Sequence, residues 1–293
     1  MISIIIVNYK VKKEILRCIS SIYKSGSNLV FEIIVVDNDE KNTIEENLKK
    51  QFPKVKYVKS PKNIGFGAGN NLGAKYAKGE VLFFLNPDTE VLPDGLSKMV
   101  SYLECNTDVG ILTPYLQLPD GSIDDACHRG FPTPWNAFCH FFGLAAILPH
   151  SLLFNGYHLG YRSLDRIHEI DACAGAAMLV RKKVGEDIGW WDEDFFWYGE
   201  DLDFCYKARE IGNKIIFNPN VIITHHKGVS GGIKQHSRSS SSADSATRRR
   251  AQGARFDAML IFYKKHYTDK YPKILTLAIT TLLKIIRLVK INI

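Results

Sequence analysis

The chain has no closely spaced cysteine pair. Its six cysteines (Cys18, Cys105, Cys127, Cys139, Cys173 and Cys205) are scattered, with no CxxC spacing. That argues against a zinc site or a disulfide framework and suits a reducing compartment. No basic n-region or small-residue cleavage site precedes the strand-like run Ile2 to Val7, so no secretory leader is expected. The apolar stretch Trp135 to Leu148 is too short and interrupted to span a bilayer, and so is the unbroken apolar run near the carboxyl end. Basic charge is absent from most of the sequence. From Arg248 to Ile293 there are eleven Lys/Arg and two Asp, a net +9, so the rest of the +7 chain carries −2. A nucleic-acid-binding core is therefore not expected, and the tail is the part that would meet an anionic surface.

A length of 293 residues with 45% apolar and 24% charged residues is ordinary for a globular protein. Val81-Leu82-Phe83-Phe84-Leu85 has no polar alternation and reads as a strand buried on both faces. Pro87 ends its pairing, which leaves Asp88 just past the carboxyl end, the edge where open α/β sheets bind ligands. Beside Asn86, that carboxylate is a seat for a hard cation. Asn-Pro-Asp is equally the composition of a plain turn. Ser3 to Val7 and Phe31 to Val36 are similar strands, the first ending in Asn8-Tyr9, the second in Asp37-Asn38-Asp39. Helical spacing of Ile15, Leu16 and Ile19 lies between them. Alternating strands and helices up to Asp88 imply right-handed crossovers and a parallel sheet with both acid clusters on one rim. Residues 1–115 read as a nucleotide-binding α/β half.

Asn63-Ile64-Gly65-Phe66-Gly67-Ala68-Gly69-Asn70-Asn71 lets backbone approach a ligand, or simply joins a loop to a helix. Its spacing is not the dinucleotide fingerprint. Residues 115–168 are proline-broken and aromatic, an irregular region near an acceptor site or a buried core helix. Gly189 to Asp201 interleaves Trp190, Trp191, Phe195, Phe196, Trp197 and Tyr198 with acids, a composition that suits sugar binding. Glu200-Asp201-Leu202-Asp203 opens a helix, where acids also offset the helix dipole without any catalysis. His225, at the end of a strand over Val221 to Thr224, is either a metal ligand or a surface histidine. Ser237 to Ala246 is Ser-rich and expected to be mobile. In the last helix Lys273, Thr276, Thr280, Lys284 and Arg287 form one polar stripe on an Ile/Leu surface. It reads as interfacial on anionic lipid, with docking on the protein's own body or an oligomer contact as the alternatives.

Taken in order, these pieces resemble the family 2 glycosyltransferases, in particular their bacterial rhamnosyltransferase-like branch. The resemblance runs from about residue 2 to 230. It rests on Val7-Asn8-Tyr9, Val36-Asp37-Asn38, the Asn63 to Asn71 segment, Asn86-Pro-Asp88, Gly175-Ala176, Trp191-Asp192-Glu193-x-Phe195-Phe196, Glu200-Asp201-x-Asp203 and His225-x-x-Gly-x-Ser230. It implies a GT-A fold: an α/β, mostly parallel Rossmann-like sheet flanked by helices, here followed by amphipathic helices. Residues 1–230 would be the transferase domain, with 116–230 its acceptor-side half, 231–250 a flexible Ser/Arg-rich segment and 251–293 a basic helical tail.

The implied activity is inverting transfer of rhamnose or a similar sugar from a nucleoside diphosphate donor (TDP- or UDP-linked) to a glycan or lipid-linked hydroxyl in polysaccharide synthesis. The basic tail points to the cytoplasmic face of a membrane and to a lipid-linked acceptor there. Carried over by position, Asp37 would bind the pyrimidine with Asn8 nearby, and Asn63, Gly65, Asn71 and Asn86 would flank the donor. Asp88 and His225 would hold Mg²⁺ or Mn²⁺. Asp201 would be the base, with Glu200 as runner-up, and Trp191 and Asp192 would face the acceptor. Asn86 stands where the family's motif has its first Asp, and His226 duplicates His225. A nucleotidyltransferase would need a Lys/Arg-bearing glycine loop after the first strand, which Asn8-Tyr9-Lys10-Val11 does not offer. A non-catalytic sugar- or lipid-binding scaffold has no need of both Asp88 and Asp201.

Overall fold

The computed structural model describes residues 1–25, 28–41, 43–226 and 245–291. The amino-terminal part alternates β1 (Ile2–Asn8), α1 (Lys12–Lys24), β2 (Phe31–Asp37), α2 (Glu45–Gln51), β3 (Lys56–Lys59), α3 (Phe66–Ala74) and β4 (Val81–Leu85). Every residue of β1 is buried, as its unbroken apolar run requires of a central strand. On α1 the buried residues Ile15, Cys18, Ile19 and Ile22 recur at helical spacing and face the sheet. Helix α3 lies close on β1, because a Cβ on Gly73 would come within 2.5 Å of the Ile5 side chain. Much of the glycine content of this segment therefore serves helix–sheet packing.

Next come β5 (Thr89–Val91), α4 (Gly95–Cys105) and β6 (Val109–Gln117). They are followed by α5 (Pro134–Phe141), α6 (Leu144–Ile147), β7 (His168–Glu169), β8 (Ala177–Arg181), α7 (Lys182–Ile188), α8 (Glu200–Glu210) and β9 (Lys214–His225). One sheet runs in the order β3-β2-β1-β4-β8-β6-β9-β5, with β7 also paired to β9. The stretch β3-β2-β1-β4 is parallel, as the crossovers predict. Strand β8 is antiparallel to both β4 and β6, and β6 and β9 run parallel again. The sheet is thus mixed, and strands from both expected halves build it. Residues 134–147 form no buried core helix: Trp135 is 44% exposed and Phe142 66%. The six cysteines are free thiols.

Helices α9 (Ser245–His266) and α10 (Lys273–Ile291) follow. The first docks on the body through a second apolar cluster: Phe195 and Tyr206 against Ala258, Phe262, Tyr263 and Tyr267. Charge pairs hold the same contact, Lys265 to Asp192 at 2.6 Å and His266 to the buried Asp203 at 2.8 Å. Part of the polar stripe of α10 faces α9: Arg287 pairs with Asp257 at 2.7 Å, and Thr276 meets the Tyr263 hydroxyl at 3.1 Å. The outward side is consequently apolar, with Ile274 85% exposed. Among the described residues no helix is long and apolar enough to cross a membrane. Gly228, Ser230 and residues 237–244 of the expected Ser-rich segment lie outside the described residues.

Asp203 also accepts Lys207 at 2.8 Å, so it ties α8 to itself and to α9. Asp203→Ala is expected to cost about 3 kcal/mol, the worth of two hydrogen bonds to a charged group. Urea unfolding measures that loss, and faster amide exchange along α9 should accompany it.

Candidate active site

Parallel strands end together, and their carboxyl ends open on one cavity of about 1320 Å³. Of the residues singled out in the sequence, Asn63, Gly65, Asn86, Asp88, Glu200, Asp201 and His225 line it. Asp88 reaches the wall because Pro87 ends the β4 ladder. His225 joins it because β5 pairs antiparallel with β9, setting Thr89 opposite His225. The His225 Nε2 atom lies 3.4 Å from Asp88 Oδ1, and its Nδ1–H donates to Asp124 Oδ2 at 2.8 Å. Burial lowers the His225 pKa, but the two carboxylates outweigh it and lift the group to about 9. Burial pushes the Asp88 carboxyl up, and the His225 charge and hydrogen bond bring it below its ordinary value. His226 turns the other way and meets Glu90 at 2.7 Å, so of the two histidines it is His225 that points inward.

With the Nε2 proton of His225 displaced, as metal binding requires, Asp88 and His225 fit a hard divalent cation as a partial donor set, one carboxylate oxygen and one imidazole nitrogen facing the same space. Among the described residues no group of three or more His, Cys, Asp or Glu side chains is placed to hold a metal. The protein's share would then be two ligands, with substrate phosphates and water completing the shell, as Mg²⁺ sites commonly do. Asp124 fixes the His225 tautomer, as carboxylates beside metal-ligating histidines do.

Across the cavity, α8 presents its first turn. Gly199 at the N-cap and Tyr198 both adopt left-handed backbone (φ 89° and 74°), which turns the chain sharply into the helix. Asp201 Oδ2 accepts from the Arg129 guanidinium at 2.7 Å, and its Oδ1 accepts from the Leu202 N–H at 2.8 Å. Burial lowers the Arg129 pKa, yet the Asp201 charge beside it raises the group above its ordinary value. Glu200 is buried, and its Oε2 has no hydrogen-bond partner among the described residues. Burial first, and the neighbouring Asp201 charge second, push its carboxyl up to about 8.

Five expected site residues do not face the cavity. Asp37 is 0% exposed. Its oxygens are taken by Asn8 (2.8 Å), the Tyr57 hydroxyl (2.9 Å) and the Asp39 N–H (3.2 Å). Asp37 and Asn8 thus brace the ends of β1 and β2, and Val7, Tyr9 and Asn38 supply the wall there. Asn71 clamps the loop before α8, trading hydrogen bonds with the Trp191 backbone at 2.8 and 3.0 Å. Trp191 is 1% exposed and packs edge-on against Phe84 at 4.9 Å. It supports the cavity floor from below and presents no face to a sugar. Asp192 is held by Lys265 of α9. The aromatics that do line the cavity in this stretch are Phe196, Trp197 and Tyr198.

Sequence reasoning missed Asp124 and Arg129. They follow β6 in an irregular stretch, and their partners lie 101 and 72 residues further on. No local pattern announces such pairs.

The raised Glu200 carboxyl has a thermodynamic consequence. The unfolded chain releases this proton near pH 4.3 and the folded one near pH 8. The stability owed to the neutral form is full below pH 4.3 and is lost as pH rises toward 8. Glu200→Gln should therefore unfold with a flatter pH dependence over that window and gain on the parent as pH rises. Denaturant titrations from pH 5 to 9 measure it.

The profile of Glycosyl transferase family 2 matches residues 3–189. The low-salt glycan biosynthesis hexosyltransferase Agl10 of Haloferax volcanii is 30% identical over 213 residues, 71% of this chain and 61% of that protein. The N-acetylglucosaminyl-diphospho-decaprenol L-rhamnosyltransferase of Mycobacterium tuberculosis is 22% identical over 247 residues, 79% and 78% of the two chains. Among solved structures, GalNAc-T7 with UDP, GalNAc and Mn²⁺ superposes with a TM-score of 0.58 at 18% identity, over 77% of this chain and 43% of that one. The chain spans less than two thirds of that hexosyltransferase and less than half of that structure. The central mixed sheet flanked by helices is the GT-A arrangement that such glycosyltransferase structures share. With the family profile covering most of the sheet, Asp88 included, the chain belongs to glycosyl transferase family 2.

Proposed function

We propose that this protein transfers a hexose-type sugar, rhamnose among the candidates, from a nucleoside diphosphate donor to an acceptor hydroxyl, with inversion at the anomeric carbon. The observation that carries the reading is that one cavity holds Asp88 and His225 on one wall and Asp201 on another. The names of the relatives support it, a hexosyltransferase of glycan biosynthesis and a rhamnosyltransferase acting on a diphospho-decaprenol-linked sugar.

Asp88 and His225 would hold Mg²⁺ or Mn²⁺, and that ion supplies countercharge to the departing nucleoside diphosphate. Asn38, Asn63 and the Gly65 backbone would receive the donor. The direct displacement needs a base that is ionised and aimed. Asp201 is the carboxylate so aimed, because Arg129 fixes one of its oxygens. Burial first, and the Asp201 charge second, raise the Glu200 carboxyl well above its ordinary value, so Glu200 suits a neutral hydrogen-bond donor better than a base.

Asp201→Asn is expected to lower kcat by about 10²–10⁴-fold with little change in donor KM. Glu200→Gln should cost far less, and Asp88→Asn should weaken Mn²⁺-dependent nucleotide binding. Nucleoside diphosphate release and calorimetry with UDP measure these effects, and an Asp201→Asn enzyme as active as the parent removes the base assignment.

The outward apolar side of α10, with Ile274, Leu277 and Leu288 exposed beside Lys273 and Lys284, supports a tail that lies on an anionic membrane. Flotation with phosphatidylglycerol vesicles should carry the chain up, and Ile274→Glu with Leu277→Glu should release it. Equal flotation of the doubly substituted chain would sink this reading.

A further inference from the structure

Residues 130–161 hold no Asp, Glu, Lys or Arg, thirty-two positions in a row. At the chain's 24% charged content, about eight would be expected there. The segment is not a core element, because its pattern is inside-out. The buried positions of α5 and α6 are the small residues Cys139 and Ala145. The large apolar side chains point outward: Phe141, Phe142, Ile147, Leu148, Leu152 and Leu153 are all exposed, Ile147 by 71%. A helix that packs on its own protein does the reverse. Apolar surface concentrated in this way marks contact with a partner or with a membrane.

The polar groups of the same segment decide between the two. Trp135 Nε1 donates to the Leu153 carbonyl at 2.7 Å, Asn136 Nδ2 to that of Phe131 at 2.9 Å, and Asn155 Nδ2 to that of Pro149 at 2.7 Å. His150 Nδ1 donates to the Gly160 carbonyl at 3.0 Å, and His140 and His158 bond each other at 3.0 Å. These donors are spent inside the segment. Partial burial also lowers the pKa of His140 and of His158, so both rings are uncharged at neutral pH. A protein partner is met by a polar rim that makes hydrogen bonds across the interface. Hydrocarbon requires the opposite, polar groups satisfied internally and no fixed charge. Two further observations agree. Phe142 and Leu282 line the cavity and are also exposed, so the apolar surfaces of α5 and α10 reach one rim. Tyr161 and Arg162 then close the uncharged run, the guanidinium 5.6 Å from the ring centroid, a pair suited to headgroup level.

We propose that residues 134–153 are a monotopic anchor: their Phe, Ile and Leu side chains sink into the hydrocarbon of one bilayer leaflet, beside the outward side of α10. The eight residues of α5 rise only about 12 Å, so the segment enters one leaflet of a core about 30 Å thick and does not cross it. The inference goes beyond the contact of α10 with anionic lipid, because an uncharged anchor needs no anionic headgroup and is insensitive to salt. It does not rest on the glycosyl-transfer reading.

The test is flotation of the full chain with phosphatidylcholine vesicles in about 1 M salt, where the screening length is about 3 Å and basic residues contribute little. The chain should still float. Phe142→Glu with Ile147→Glu, both at exposed positions, should lower that partition at least about ten-fold and leave thermal unfolding without lipid unchanged. The chain carrying Ile274→Glu and Leu277→Glu should still float there. Phe142→Trp should add emission that is quenched by phosphatidylcholine brominated along its acyl chains. Flotation on phosphatidylglycerol alone, or equal partition of the variant at Phe142 and Ile147, overturns the proposal and leaves the α10 contact standing. Loss of phosphatidylcholine flotation in the variant at Ile274 and Leu277 gives all the binding to α10 and overturns it as well. So does a bound Phe142→Trp chain without added quenching, which would place that residue outside the hydrocarbon. Sedimentation tests the other occupant: a lipid-free dimer that the substitutions at Phe142 and Ile147 dissociate, in a chain that does not float on phosphatidylcholine, gives the surface to a second copy. UDP with Mn²⁺ is titrated into each variant and should bind as in the parent, so failure of the anchor and failure of the donor reading are seen separately.

Discussion

Thr89 stands opposite His225 in the ladder between β5 and β9, and the geometry of the site follows from that register. A strand reads its partner residue by residue, so a slip of one position would turn His225 to the other face of the sheet. With the register kept, a histidine from the end of β9 lies against an aspartate from the end of β4. Asp124, brought in by the turn after β6, then takes the other ring nitrogen. Three segments far apart in the chain share one buried charge network. Such a network is costly unless each member is paired, and here the pairing is reciprocal. The same arrangement leaves Nε2 facing the cavity beside a carboxylate.

The opposite wall works by contrast between neighbours. Glu200 and Asp201 are adjacent in sequence and share a helix terminus, yet Arg129 reaches only Asp201. One carboxylate is paired and oriented. The other is buried, without a partner on Oε2, and keeps its proton into the neutral range. A carboxyl raised by burial beside a carboxylate oriented by an arginine suits a site that moves a proton. The arginine that makes the difference comes from the irregular stretch after β6, which otherwise carries little secondary structure.

The tail is part of the same design. Helix α9 docks by aromatic packing and by lysine and histidine contacts to Asp192 before α8 and Asp203 within it. Asp192 thus spends its charge on anchoring the tail. Because Arg287 and Thr276 of α10 turn inward to α9, the apolar residues of that helix are left for the cavity wall and for the outside. Of the basic residues in 248–293, Lys265 and Lys270 pair with the body and Arg287 pairs within the tail.

The order of strands and helices, the parallel ladder through β4, and the placing of Asp88 at the ligand-binding edge were legible in the sequence. Each is a consequence of local rules: apolar runs, helical spacing, and a proline that ends pairing. The glutamate–aspartate helix start and the amphipathic tail were legible for the same reason. Which way a side chain faces was not. Trp191 and the exposed Trp135 are the same residue type in similarly aromatic stretches, but one lies under the Gly175 backbone against Phe84 and the other lines the cavity with its ring open. Asp37 and Asp88 both end strands on the same rim, yet only Asp88 opens to the cavity, because Asn8 and Tyr57 enclose the other. Periodicity along the chain determines an element and its buried face; burial, ion pairing and proton affinity depend on what packs across from it, and those partners meet only when the sheet and the tail close around the cavity.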